Sequence, residues 1–178
     1  MIIAKGKRGT VYKVFFIAVK IKNKERKALG NIEREGKWLR LLNKHGIGKK
    51  VYFTGRNFIV YRIIFGKPVL EYFKDAPRRE KLRIVMEVFR QCWILDRLRI
   101  NKFEMHHPFK HILIGKKIVM IDFERCSYSE KPKNVTQFAQ SLNRLGVDID
   151  NDKMVKALKK YKENYNENSF KEILKLVQ

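Results

Sequence analysis

The run Thr10-Val11-Tyr12-Lys13-Val14-Phe15-Phe16-Ile17-Ala18-Val19-Lys20-Ile21 constrains the fold more than any other part of the sequence. It is built mainly of β-branched and aromatic residues, whose side chains lose freedom in a helix and pack well on a pleated surface. It therefore reads as successive strands. The reversal between them falls around Val14 to Ile17 and contains no Gly, Asn or Asp, the residues that tight turns usually recruit. From Asn31 to His45, Ile32, Trp38, Leu39, Leu41 and Leu42 fall near helical spacing, and Gly46 is suited to end the helix. Val51-Tyr52-Phe53 and Phe58-Ile59-Val60-Tyr61 flank Thr54-Gly55-Arg56-Asn57 as a hairpin, and Gly66-Lys67-Pro68 then breaks the extended run. The first part of the chain is thus predicted to be an antiparallel sheet with one helix packed on it.

Helices dominate afterwards. Pro77 is well placed in a first helical turn, and Leu82, Val85, Met86, Phe89, Trp93 and Leu95 give residues 78 to 98 an amphipathic pattern. Ile112-Leu113-Ile114 and Ile118-Val119-Met120-Ile121 enclose Gly115-Lys116-Lys117, which predicts a short hairpin ending at Asp122. Beyond Pro132, two or three polar helices follow, burying Phe138, Leu142, Leu145, Met154, Leu158, Tyr161, Phe170, Ile173 and Leu174. Strands first and helices later define an α+β chain.

The longest unbroken apolar run, Val14 to Val19, is far short of the roughly 20 apolar residues of a membrane span. Met1-Ile2-Ile3-Ala4 does not have the layout of a secretory signal, so a cytoplasmic protein without a membrane partner is expected. Cys92 and Cys126 form no CxxC pair and are expected to be buried thiols. The net charge of +23 stands out. It fits either a solvated lysine-rich surface or a basic face for RNA or the ribosome, with Arg78, Arg79, Lys81 and Arg83 as candidates.

Three residues carry the chemistry. Lys20 ends an apolar strand segment, where a rigid backbone would hold its ammonium still. Glu35 has Leu39 at i+4 and Leu42 at i+7, so its carboxylate shares the apolar face of the helix; Glu33 competes, but Lys37 at its i+4 position marks a solvated face. Asp122 follows four apolar residues, an expensive place for a carboxylate without a cation.

In that order these residues resemble the small atypical protein kinases, including the RIO family, the KEOPS-complex kinase and predicted archaeal serine/threonine kinases. Gly6-Lys7-Arg8-Gly9-Thr10-Val11 is similar to the end of the glycine-rich loop, Ala18-Val19-Lys20 to the strand of the phosphate lysine, and Asp122-Phe123-Glu124 to the magnesium-binding D-F-G. The resemblance spans about residues 4 to 125. It implies a minimal two-lobed kinase-like fold: a sheet lobe of about residues 1–65 with one αC-type helix, a hinge at about 62–68, and a reduced, mainly helical lobe over about 69–178. It implies ATP and Mg2+ as ligands, a protein serine or threonine as acceptor, and adenine at Arg62-Ile63-Ile64 beside Tyr61. Gly6, Gly9, Val11, Ala18, Lys20 and Glu35 would surround the nucleotide, and Lys110 and His111 would reach its phosphates. Asp122 would hold the metal, with Glu124 and His111 as weaker candidates. Glu104 takes the place of the catalytic Asp and Lys102 that of the preceding His. Five residues after Glu104, where a magnesium-binding Asn belongs, stands Phe109. The altered loop leaves two other expectations open: a nucleotide-binding pseudokinase or ATPase-like switch, and a basic RNA- or ribosome-associated module.

Overall fold

The structure is a computed structural model that describes residues 2–5, 9–23 and 31–177, with no side-chain account of 2–5 or 31. Gly6 lies outside the described residues. The chain is α+β, with an antiparallel sheet and, among the described residues, six α-helices. It divides into two compact units, Met1–Gly66 with Gly115–Arg125, and Lys67–Ile114 with Cys126–Gln178.

The first unit is built on five strands: β1 (Ile2–Lys5), β2 (Gly9–Val14), β3 (Ile17–Lys22), β4 (Val51–Thr54) and β5 (Phe58–Arg62), in the order β1-β2-β3-β5-β4. Val14 pairs with Ile17, so Phe15 and Phe16 alone make the reversal. Phe15 adopts φ +53°, where glycine would sit with least strain. Register fixes the faces of the sheet, because paired residues share a face and successive residues alternate. Val11, Lys20, Ile59 and Thr54 form one row, and Tyr12, Val19, Val60 and Phe53 form a row on the opposite face.

Helix α1 (Asn31–Asn43) covers the Lys20 face. Gly36 permits the close approach, since a Cβ there would lie 3.1 Å from Thr54 Cβ. Ile32, Leu39 and Leu42 point inward and join Ala18, Ile59 and Tyr61 in the core. Each buried Leu or Ile among them contributes about 1.5–3 kcal/mol by leaving water. The strand Ile118–Met120 and Phe123 belong to the same unit, and the strand stops at Met120 rather than Ile121.

The second unit is mainly helical: α2 (Val69–Asp75), α3 (Arg78–Arg97), α4 (Asn134–Ser141), α5 (Asn151–Asn164) and α6 (Glu167–Lys175). Pro77 sits one position before the start of α3, as its N-cap. Phe89 of α3 meets Phe138 of α4 edge to face at 4.9 Å, and Trp93 stacks on Phe170 at 4.9 Å. Two elements depart from the sequence reading. Helix α2 follows Pro68 directly, and Ile100–Lys102 pairs with Cys126–Tyr128 in a short ladder. Cys92 and Cys126 are buried free thiols.

Asp96, near the end of α3, is nearly buried and ties this unit together. Its Oδ1 accepts from the Asn134 backbone N–H at 3.0 Å and from Asn134 Nδ2 at 2.6 Å. Its Oδ2 accepts from the Tyr161 hydroxyl at 2.9 Å. Asn134 also donates to the Ile100 carbonyl, 2.6 Å away, and accepts the Lys102 N–H at 2.8 Å. The carboxylate therefore joins α3, α4, α5 and the short ladder. Among the described residues, no helix is long and apolar enough to cross a membrane.

Candidate functional site

The first unit gathers four of the residues singled out above: Lys20, Glu35, Tyr61 and Asp122. Lys20 projects from β3 toward α1, and its Nζ meets Glu35 Oε2 at 2.6 Å. Glu35 is fully buried, two helical turns before Leu42 on the same face of α1. The competing Glu33 pairs at 2.8 Å with Lys37, near the surface.

Glu35 has a second cation that sequence reasoning missed. Lys49 Nζ lies 2.9 Å from Glu35 Oε1 and 4.5 Å from the centre of the Tyr61 ring. Lys49 stands in His45-Gly46-Ile47-Gly48-Lys49-Lys50, where nothing in the sequence separates it from a surface lysine. Its burial comes from the loop. Asn43 Nδ2 donates to the carbonyls of Ile47 (3.0 Å) and Lys49 (2.8 Å), while Asn43 Oδ1 accepts the Val51 N–H at 2.8 Å. One side chain at the end of α1 thereby fixes the backbone on both sides of Lys49.

The charges reinforce one another. Burial, the largest influence on Glu35, opposes ionisation, but the attraction of Lys49 and Lys20 outweighs it and holds the carboxyl below its ordinary range. Burial likewise opposes the Lys49 ammonium and is outweighed by Glu35, with smaller contributions from Tyr61 and Asp122, so its pKa is raised. Tyr61 is pushed up, chiefly by burial. The Asp122 carboxylate thus acts on the same Lys49 that Glu35 binds.

Asp122 has φ +60°, in the left-handed region where few non-glycine residues are found. Such conformations cost about 1–3 kcal/mol and concentrate at functional sites. Next to it, Phe123 is fully buried. A Cβ on Gly48, at φ +82°, would lie 2.7 Å from Leu39 Cδ2 and 3.1 Å from Phe123 Cε2. The missing side chain lets Phe123, Leu39 and the Lys49 loop pack together, which links the Asp122 segment to the helix of Glu35. Glu124 is also buried in this unit. Val11 and Ala18 lie on the Lys20 face, and Gly9 approaches the Ile21 carbonyl so closely that a Cβ would stand 2.7 Å from its oxygen. In the segment after Tyr61, the Arg62 N–H donates to Lys50 and the Ile63 N–H to Phe16, both at 2.8 Å, and Ile64 is half-buried.

Glu104, Lys110 and His111 belong to the second unit. Glu104 is buried in a short 3-10 turn, Phe103–His106, and its Oε2 lies 3.0 Å from Nζ of the fully buried Lys102. Lys110 closes the next turn, with the half-buried His111 following it. His106 Nδ1 is 2.6 Å from the Phe103 carbonyl oxygen, and His107 Nδ1 is 3.0 Å from an Arg144 guanidinium nitrogen. Among the described residues, no three His, Cys, Asp or Glu side chains form a group suited to hold a metal.

No protein-family model matches this sequence, and no curated protein matches it.

Proposed function

We propose that the chain is an ATP- and magnesium-dependent phosphotransferase of the atypical serine/threonine kinase kind, with the minimal two-lobed fold of that class. The first unit, with its antiparallel sheet and α1, is the nucleotide-binding part. The observation that carries this reading is the buried carboxylate of Glu35 between two ammonium groups, with Asp122 acting on one of them. Glu35 holds the Lys20 ammonium on the inner sheet face, where it can meet the oxygens of a phosphate chain.

In this reading Lys20 grips phosphate oxygens, and Glu35 and the strand hold its ammonium in place before the ligand arrives. Lys49 keeps Glu35 ionised. Magnesium favours oxygen donors and usually takes one or two carboxylates beside substrate phosphates. Asp122 and Glu124 supply donors of that kind, whereas the imidazole of His111 suits magnesium poorly. When bound, the ion would neutralise charge developing on the phosphoryl oxygens.

A second reading, nucleotide binding with little transfer, is favoured by one observation. Glu104, the residue aligned with the catalytic base, is buried in an ion pair with Lys102, and a general base has to reach the proton it accepts.

Equilibrium titration with a fluorescent ATP analogue, with and without magnesium, tests the proposal. Lys20→Ala and Asp122→Asn should each weaken magnesium-dependent binding about 10-fold or more, the loss of one charge-assisted contact. Unchanged affinity in both variants would overturn the nucleotide reading. Phosphate release or autophosphorylation lost in Glu104→Gln supports transfer through Glu104, whereas binding without turnover supports the second reading.

A further inference from the structure

The sheet face opposite Lys20 is apolar and open. Tyr12, Val19, Val60 and Phe53 cross it as one row, and Ile21 pairs with Phe58 in the next. Helix α1 lies on the other face. Tyr12, Ile21 and Phe58 are exposed, and Phe53 is 70% exposed. The register shift between Val51 and Phe53 leaves Tyr52 as an extra residue in β4, and its ring is exposed as well. At the reversal between β2 and β3, Phe15 is 81% exposed. A bulge that turns an additional side chain outward is a device for re-aiming it, and contiguous exposed apolar surface on this scale marks an interaction site.

The surroundings are cationic. Arg62 pairs with Ile17 and is exposed on this face, Arg56 is exposed in the turn between β4 and β5, and Lys50 Nζ stands 6.0 Å over the Tyr52 ring. The chain as a whole carries +23. Two copies so charged repel, which argues against self-association through this face. The complementary partner is a polyanion that also presents flat apolar surfaces. Nucleobases of an unpaired strand do both, stacking on aromatic rings while basic side chains follow the phosphates. RNA ordinarily offers such splayed bases in its loops and ends.

We infer that the outer face of this sheet, with Tyr12, Phe53 and Phe58 as its stacking residues and Arg62, Arg56 and Lys50 at its rim, binds single-stranded RNA. The inference is independent of the nucleotide site, because these rings and Lys20 point to opposite faces.

Fluorescence anisotropy with a short labelled oligouridine, over a series of salt concentrations, tests it. Wild type should bind with a steep salt dependence and prefer the single strand to a blunt RNA duplex. Phe53→Ala and Tyr12→Ala should each raise Kd about 5- to 150-fold, the loss expected for one stacked base. Phe53→Leu, which keeps an apolar side chain and removes the ring, should behave like Phe53→Ala. Arg56→Gln, exposed in the turn between β4 and β5, should reduce the slope of affinity against salt by about one phosphate contact. Binding of the ATP analogue should not change in any of these variants, which also shows that they are folded. Full affinity in Phe53→Ala and Tyr12→Ala, rescue by Phe53→Leu, or equal affinity for duplex would overturn the inference. So would no detectable oligouridine binding combined with Phe53-dependent binding to vesicles of anionic lipid.

Discussion

Glu35→Gln keeps the shape of the side chain and removes the one charge that faces both Lys20 and Lys49. At 2.6 and 2.9 Å, with an effective dielectric constant of about 20, each contact supplies roughly 6 kcal/mol of gross attraction. Desolvation of three charged groups offsets most of it, so breaking a buried pair from one side costs about 3–5 kcal/mol net. Against a domain stability of about 5–15 kcal/mol, that is a large share. Urea unfolding at neutral pH measures it directly. The pH dependence supplies a second check. In the wild type the raised Lys49 pKa contributes stability that is fully present below the ordinary lysine range and lost as pH rises through the folded value. In the variant, burial acts on Lys49 without Glu35 to oppose it, so its folded pKa falls. The unfolded chain then binds more protons, and stability gains as pH rises. The difference between the two proteins should therefore narrow toward alkaline pH. A loss below about 1 kcal/mol, or a difference that stays constant with pH, would refute the view of Glu35 as the charge centre of this unit.

Two further predictions concern packing and titration. Gly48→Ala combines φ +82° with a Cβ 2.7 Å from Leu39 Cδ2, and should lower stability by about 2 kcal/mol or more; Gly46→Ala, at φ +73° with no heavy atom within 4 Å, should cost only about 1 kcal/mol. Equal urea midpoints for the two variants would remove the packing role of Gly48. Burial raises Asp96 from 3.8 to about 6, against the bonds it accepts from Asn134 and Tyr161. The native state therefore binds the proton more tightly than the unfolded chain. Its contribution is fully present below pH 3.8 and lost as pH rises through about 6, a change on the order of 3 kcal/mol. Asp96→Asn should lack that decline, and parallel stability curves for wild type and variant across this interval would contradict the assignment.

What the sequence disclosed follows the range over which its signals act. Runs of β-branched and aromatic residues placed β2, β3 and β5, and one-sided apolar spacing placed α1 and α3, because those patterns sit within a single element. The inward position of Glu35 was legible for the same reason, from its spacing to Leu39 and Leu42, whereas its contact with Lys20 joins a helix to a strand and has no local pattern. Lys49 was hidden because its burial depends on three hydrogen bonds from Asn43, a tertiary cause with no local pattern. The ladder of Ile100–Lys102 with Cys126–Tyr128 has strands too short for alternation to show, and α2 has only about two turns of helix after a proline. Phe15 marks a different limit: turn chemistry argued against a two-residue reversal there, and the pairing of Val14 with Ile17 imposes one despite the strain. Asp96 carried no signal in the sequence, although its carboxylate joins three helices of its unit.

The Asn43 clamp also decides how the charge centre is anchored. Glu35 lies in the body of α1, and Asn43 at the end of that helix holds the backbone of Lys49. Lys20 is anchored separately, in the sheet. Through the same clamp the Val51 N–H of β4 is bonded to Asn43, so Lys49 is held by the helix and the sheet together. Glu35 thus meets one cation fixed by the sheet alone and one fixed by helix and sheet at once, and the buried charge centre doubles as the fastener that binds α1 to β3, β4 and β5.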